Sequence, residues 1–265
     1  MTLSSFTSKN VLVTGGGSGI GLATATRFAS LGAAVTICGR TAEKLETAVA
    51  QIEAAVPRAT VRHIVADVTI EEQIAAAVDV AEAVTGTLDV VFACAGGSHH
   101  MGSIVDADAA GVRATVDLNL VGSFLSVKHA ARVMIPKAAG SIVLMSSGAG
   151  HFPHRWLWAY GMSKAGIESL CDYAAEELGE HGIRVNVVQP GIIDDELMSF
   201  ITAGGALLED YLEQMPLSRV GTVDDVAAAV TFLASDDAAW ITGEHLGVDG
   251  GHHLRRGADY SKLFG

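Results

Sequence analysis

"VLVTGGGSGIG" (11–21) is a short apolar run that stops at three consecutive glycines and resumes as a helical pattern through Ile20, Ala23, Phe28 and Leu31. It reads as strand, tight turn and helix. Glycines at such a turn let backbone approach a pyrophosphate, and the helix N-terminus offers it unpaired N–H groups. The stretch is not the G-x-G-x-x-G dinucleotide fingerprint, because no glycine pair two apart has a third glycine three residues on. Gly15, Gly19 and Gly21 instead spell T-G-x-x-x-G-x-G. A glycine-rich turn by itself is a tight turn; after the first strand of a βαβ unit it points to nucleotide binding.

The alternation repeats outward from this unit. Strands are expected at 33–38, 61–67, 88–96, 141–147, 184–190 and 244–248, and helices near 42–56, 70–84, 112–135, 158–180 and 222–235. Strands apolar on both faces, separated by amphipathic helices, make a parallel sheet covered on both sides. The expected fold class is therefore α/β, a doubly wound parallel sheet in one domain (1–265) with its ligands at the carboxyl ends of the strands. Only 191–221 breaks the rhythm, with "AGG" at 203–205 inside a partly apolar helical stretch, and is read as a small flexible lobe near 192–215 over the site.

Thirty acidic against seventeen basic residues give a formal charge of -13. That charge repels nucleic acid and anionic membrane surfaces, so neither is an expected partner. Cys38, Cys94 and Cys171 are scattered without C-x-x-C spacing, which suits a reducing compartment rather than a disulfide framework or zinc ribbon. "MTLSSFTSKN" (1–10) has no apolar core of a leader, and no stretch nears the roughly 20 apolar residues of a membrane span. A soluble, cytoplasmic protein is expected.

The second strand ends "CGRT" (38–41), with no acid before Glu43. An arginine there suits a 2′-phosphate, whereas NAD sites usually place a carboxylate for the ribose hydroxyls. Arg40 therefore favours NADP, with NAD still possible. Tyr160 and Lys164 stand four residues apart on one helix face, so an ammonium can lie near the phenol and draw its pKa down for proton exchange with a hydroxyl or carbonyl. Ser147, at the end of the preceding strand, can hold the substrate oxygen beside Tyr160.

In combination, "TGGGSGIG" (14–21), "DV" (67–68), "CAGG" (94–97), "LNLVG" (118–122), "SS" (146–147), "YGMSK" (160–164), "RVNVVQPG" (184–191) and "VDGG" (248–251) resemble a short-chain dehydrogenase/reductase across nearly the whole chain. The resemblance implies hydride transfer between NAD(P)(H) and an alcohol/carbonyl pair in a Rossmann-type domain. It makes Tyr160 the general acid/base, Ser147 the holder of the substrate oxygen, Lys164 the ribose contact that lowers the tyrosine pKa, and Asn119 the holder of a relay water. It assigns cofactor contacts to Gly15, Ser18, Gly19, Ile20, Gly21, Asp67, Val68, Ala95, Gly96, Pro190, Gly191 and Ile193, besides Tyr160 and Lys164. The run 216–251 resembles the region through which many members form tetramers, so a homo-oligomer is implied.

Two departures stand out. Ala93 and Cys94 occupy positions where the family commonly has Asn-Asn, so the bonds bracing the fourth strand must be replaced or absent. Asp195 stands where a threonine commonly meets the cofactor; a carboxylate beside a pyrophosphate is repulsive, so Asp195 is expected to turn away or a neighbour to take over. His99, His100, His151, His154, His252 and His253 lack metal-site spacing and read as solvated or substrate-facing loop residues, with no metal expected. At least one of Trp156 and Trp158 is expected to line an apolar pocket, which favours a steroid-like, terpenoid or acyl-thioester substrate. The alternative to an enzyme is a non-catalytic dinucleotide-binding redox sensor. The tail from Gly250 onward is not readable from composition.

Overall fold

A computed structural model describes residues 5–196 and 198–263. In chain order the elements are β1 (Asn10–Thr14), α1 (Gly19–Ser30), β2 (Ala34–Gly39), α2 (Ala42–Ala55), β3 (Thr60–Val65), α3 (Glu71–Glu82), β4 (Val90–Ala93), α4 (Ala109–Val116), a π-helical turn (Asp117–Val121) and α5 (Gly122–Met134). There follow β5 (Gly140–Met145), α6 (Gly148–His151), α7 (Trp158–Gly179), β6 (Ile183–Pro190), β7 (Ile193–Asp194), α8 (Ser199–Thr202), α9 (Ala206–Gln214), β8 (Gly221–Thr222), α10 (Val223–Ala234) and β9 (His245–Val248).

The main sheet has seven strands in the order β3-β2-β1-β4-β5-β6-β9, with every neighbouring pair parallel. This is the doubly wound Rossmann-type sheet that the alternation predicts. Successive strand residues point to opposite faces. Leu12, Val91, Ile142, Leu144, Val185 and Val187 pack with α3, α5 and α7 on one side. Val11, Val13, Ile37, Phe92, Val143 and Val188 pack with α1, α2 and α10 on the other. In register, Thr14 lies level with Cys38 and Ala93, so β1, β2 and β4 end together at one rim. The strand order reverses between β1 and β4, the place where a crevice opens in such sheets.

The structure departs from the expected elements in three places. The helix expected at 112–135 is two helices joined by the π turn, which carries the fully buried Asn119. Such single-turn widenings inside helices are commonly found at functional sites. The strand expected at 88–96 ends at Ala93, because the Cys94 and Ala95 N–H groups leave the ladder and donate to Thr14 Oγ1 at 3.0 and 3.2 Å. Within 191–221, β7 and β8 form a two-residue parallel pair, Ile193 opposite Gly221 and Asp194 opposite Thr222, that no periodicity announces. Helices α8 and α9 fill the rest of that segment and bury Ile201, Leu207 and Tyr211 in a third small core with Leu157 and Tyr260. Among the described residues no helix is long and apolar enough to cross a membrane.

Candidate active site

At the carboxyl ends of β1, β2, β4, β5 and β6 lies a cavity of about 540 Å³. Its floor is the turn between β1 and α1, and two glycines there have no substitute. A Cβ on Gly15 would stand 2.9 Å from the Ala95 Cα, and Gly15 adopts φ +69. A Cβ on Gly21 would run into the Gly15 carbonyl oxygen. The first turn of α1 therefore packs directly on the end of β1, and its N-terminus opens onto the cavity with no acidic residue in that turn. This cradle of bare backbone fits the diphosphate of a dinucleotide.

Of the residues assigned from sequence, Gly15, Ser18, Gly19, Ile20, Gly21, Arg40, Val68, Ala95, Gly96, Ser147, Tyr160, Lys164, Pro190, Gly191 and Ile193 all line this cavity. Asp67 and Asn119 do not. The Asp67 carboxylate is turned into a local cap, accepting from the Thr69 N–H at 2.9 Å and the Thr69 hydroxyl at 2.8 Å, and Ala66 and Val68 face the cavity instead. Asn119 sits beneath the 96–97 turn. Its Oδ1 accepts from the Gly97 N–H at 2.9 Å, and its Nδ2 donates to the Gly97 carbonyl at 2.8 Å and to Ser163 Oγ at 2.9 Å. Both amide protons are thereby used, so the side chain braces the turn and has no donor left for a relay water. Together with the Thr14 hydroxyl, this clamp replaces the bracing lost where Ala93 and Cys94 stand for Asn-Asn.

Ser147 follows β5 and caps the short α6, accepting from the Ala149 N–H at 3.2 Å. Tyr160 and Lys164 stand in the first two turns of α7. Burial pushes the Tyr160 hydroxyl above the usual phenol range, and the Ser147 hydroxyl pulls it back through a hydrogen bond. The Lys164 ammonium lies 5.4 Å over the centre of the Tyr160 ring and donates to the Met145 carbonyl at 2.7 Å. Burial lowers Lys164 to about 8, while Cys94 draws it upward. The Cys94 thiol is itself pushed up to about 12 by burial, against the pull of Lys164. Lysine, tyrosine, serine and cysteine thus share one dry corner of the cavity.

Sequence reasoning missed several further parts. Behind Ser147, the buried Glu168 accepts from Ser146 Oγ at 2.7 Å and Gln189 Nε2 at 2.8 Å, tying α7 to β5 and β6. Its place one helical turn beyond Lys164 is the signal that could have found it. Lys44 joins Arg40 at the rim, where its ammonium pairs with Glu196 at 3.2 Å. Asp195 does not turn away. Its Oδ2 would be 3.0 Å from a Cβ on Gly19, and it lines the cavity while Oδ1 accepts from the Met198 N–H at 2.8 Å. The positive end of α1 attracts a carboxylate for the reason it attracts a phosphate.

Neither tryptophan lines the cavity; His154 and Leu157 do. Trp156 adopts φ +69 with Arg155 5.8 Å over its ring, and Trp158 stands edge-on to His100 at 5.5 Å. The left-handed residue reverses the chain between Arg155 and Leu157, and Leu157 takes the inward position. His154 and His252 are buried cavity residues rather than solvated ones. Among the described residues no three His, Cys, Asp or Glu side chains gather as metal ligands.

Residues 15–253 match a protein family described as enoyl-(acyl carrier protein) reductase. Momilactone A synthase of Oryza sativa subsp. japonica is 40% identical over 262 residues, covering 92% of this chain and 89% of its own. The (+)-borneol dehydrogenase 1 of Salvia officinalis is 37% identical over 255 residues, 93% of this chain and 94% of its own. A solved short-chain type dehydrogenase/reductase from Mycobacterium ulcerans superposes with a TM-score of 0.96 at 44% identity, over 98% of this chain and 95% of that one. The chain belongs to the short-chain dehydrogenase/reductase family, NAD(P)-dependent oxidoreductases acting on CH–OH groups.

Proposed function

We propose that the whole chain, 1–265, is one catalytic domain that interconverts a neutral, fairly bulky secondary alcohol and its ketone with NADP(H) as cofactor. The observation that carries this reading is that Ser147 and Tyr160 line the same cavity as the glycine cradle, with the Lys164 ammonium 5.4 Å over the tyrosine ring. A bound nicotinamide dinucleotide supplies the hydride acceptor or donor. In the oxidative direction Tyr160 takes the alcohol proton and Ser147 Oγ holds the oxygen that loses it; in reduction Tyr160 returns the proton. Deprotonating a buried phenol requires stabilising the anion, and Ser147 and the Lys164 ammonium over the ring are placed to do so. Asn119 keeps the 96–97 turn in place against Lys164, since a Cβ on Gly96 would lie 2.7 Å from its Oδ1 and 3.2 Å from Lys164 Nζ.

Arg40, exposed at the mouth beyond β2 and in no ion pair among the described residues, supports NADP, and Lys44 adds a second cation. Apolar lining from Leu157, Met101, Met198 and Phe200 supports a bulky substrate, as do relatives named for momilactone A and borneol. A homotetramer in the cytoplasm completes the reading, and light scattering tests the assembly. Turnover on an alcohol and ketone panel, followed by NADPH absorbance, is the principal experiment. Tyr160→Phe is expected to lower kcat by about 10²–10⁴ with cofactor affinity retained; unchanged turnover would remove Tyr160 from the mechanism. Titrating both cofactors tests Arg40, and tighter binding of NAD would give it another role.

A further inference from the structure

Four side chains that the proposed chemistry leaves unused line the cavity beside Tyr160: His154 from the loop before α7, Tyr211 from α9, and His252 and Tyr260 from the C-terminal segment. All four are buried. His252 is the hub, with its ring 5.5 Å from His154 and 5.4 Å from Tyr211, centre to centre.

Hydrogen bonds fix which nitrogen of each imidazole carries a proton. His154 Nδ1 is 3.1 Å from the Phe152 carbonyl oxygen, and His252 Nε2 is 2.9 Å from that of Arg256. A carbonyl only accepts, so each of these nitrogens is an N–H donor. Burial holds both rings below the ordinary imidazole value, His154 at about 4, so both are neutral near pH 7. The second nitrogens, His154 Nε2 and His252 Nδ1, are therefore bare lone pairs, and no hydrogen bond to either is found among the described residues.

The tyrosines contribute the opposite polarity. Their hydroxyls are 2.9 Å apart, so one donates to the other and one phenol proton is left over. The nearby cations are already committed, Arg256 and Lys262 to the buried Asp210 at 2.5 and 2.7 Å, and Arg155 to Asp259 at 3.2 Å. Among the described residues the wall thus offers lone pairs and an O–H but no free positive charge.

We propose that His154, His252, Tyr211 and Tyr260 form a recognition site for a second hydroxyl group on the substrate, selecting neutral diols and hydroxylated ring alcohols over simple mono-alcohols. A hydroxyl gives its proton to an imidazole nitrogen and accepts the phenol proton. A carboxylate or phosphate has no proton to give at neutral pH and meets no cation to neutralise it. A bare hydrocarbon that covers these lone pairs leaves them unmatched, the situation in which polar pockets reject analogues most strongly. The site rests on the proposed alcohol chemistry at Tyr160.

The test compares kcat/KM for cyclohexanol with the 1,2-, 1,3- and 1,4-cyclohexanediols. At least one diol is expected to exceed cyclohexanol tenfold or more. His154→Asn keeps an N–H where Nδ1 donates and removes the distal acceptor; His252→Gln keeps the donor at the place of Nε2 and removes the acceptor at that of Nδ1. Each is expected to lower the diol to mono-alcohol ratio about tenfold, whereas His252→Asn, which retains the near acceptor, keeps more of it. Cyclohexanol turned over with no diol preferred, or a ratio undiminished in both variants, overturns the site while leaving the alcohol reading intact. Turnover of no alcohol at all removes both. Should a variant fail to fold, the ratio measured on the unmodified enzyme decides alone.

Discussion

Replacing His154 by phenylalanine is expected to make the protein more resistant to mild acid, although it removes a hydrogen bond. His154 is 7% exposed and its pKa is lowered to about 4, first by burial and further by His252, with the Phe152 carbonyl opposing. In the unfolded chain the same imidazole titrates near 6.5. Between these two values the unfolded state holds a proton that the folded state does not, so stability falls as pH drops from about 6.5 to about 4 and is unaffected by this group above that window. At about 1.4 kcal/mol per pKa unit, the full contribution is about 3 kcal/mol, of which about 2 kcal/mol is gone by pH 5. For a chain of this length that is about 4 °C in Tm. His252, also lowered by burial, acts in the same direction, and the neighbouring Tyr211 and Tyr260 stay neutral throughout. The measurement is thermal unfolding at pH 7 and pH 5 for both proteins. His154→Phe should lose several degrees less than the unmodified chain over that interval, whatever its Tm at pH 7. Equal losses would mean that the folded state protonates His154 as readily as the unfolded one, and the buried neutral ring would have to be abandoned.

Three further outcomes are expected. Gly21→Ala drives a methyl into the Gly15 carbonyl and should weaken dinucleotide binding at least tenfold while costing about 1–3 kcal/mol of stability, read by cofactor titration and denaturant unfolding. Asp195→Ser removes a carboxylate from the cradle at Gly19 and should tighten dinucleotide binding about tenfold, equivalent to about 1.4 kcal/mol; weaker binding on titration would show that Asp195 helps to hold the cofactor. Asp210→Asn strips the partner from Arg256 and Lys262 and should raise KM for the alcohol with little change in dinucleotide affinity, and an unchanged KM would mean that the tail holds its place without this contact.

The features legible in the sequence are those written in neighbouring residues. The glycine turn, the strand and helix periods and the four-residue spacing of Tyr160 and Lys164 are all local, and the fold and most of the cavity lining follow from them. What escaped depends on partners distant in the chain. Arg256 meets Asp210 across 46 residues, and no composition of the tail announces it. Asp195 answers to the dipole of a helix that begins at Gly19. Leu157 rather than Trp156 or Trp158 reaches the cavity because one residue adopts a left-handed conformation, a choice decided by tertiary packing. Resemblance places Asp67 at the cofactor, but Thr69, two residues on, holds its carboxylate in a local cap.

The way the C-terminal segment is fastened bears on how such a chain can change over generations. Much of its attachment runs through one carboxylate, Asp210, which receives Arg256, Lys262 and the Asp259 N–H, beside the Arg155–Asp259 ion pair and the Tyr211–Tyr260 hydroxyl bond. The tyrosine, lysine and serine instead stand on α7 and at the end of β5, elements locked into the sheet. Mutation can thus redraw one wall of the chamber, including its length and ring content, without disturbing the groups that move the proton. A lineage built this way can acquire new substrates by exchanging the segment beyond β9 and keeping the rest.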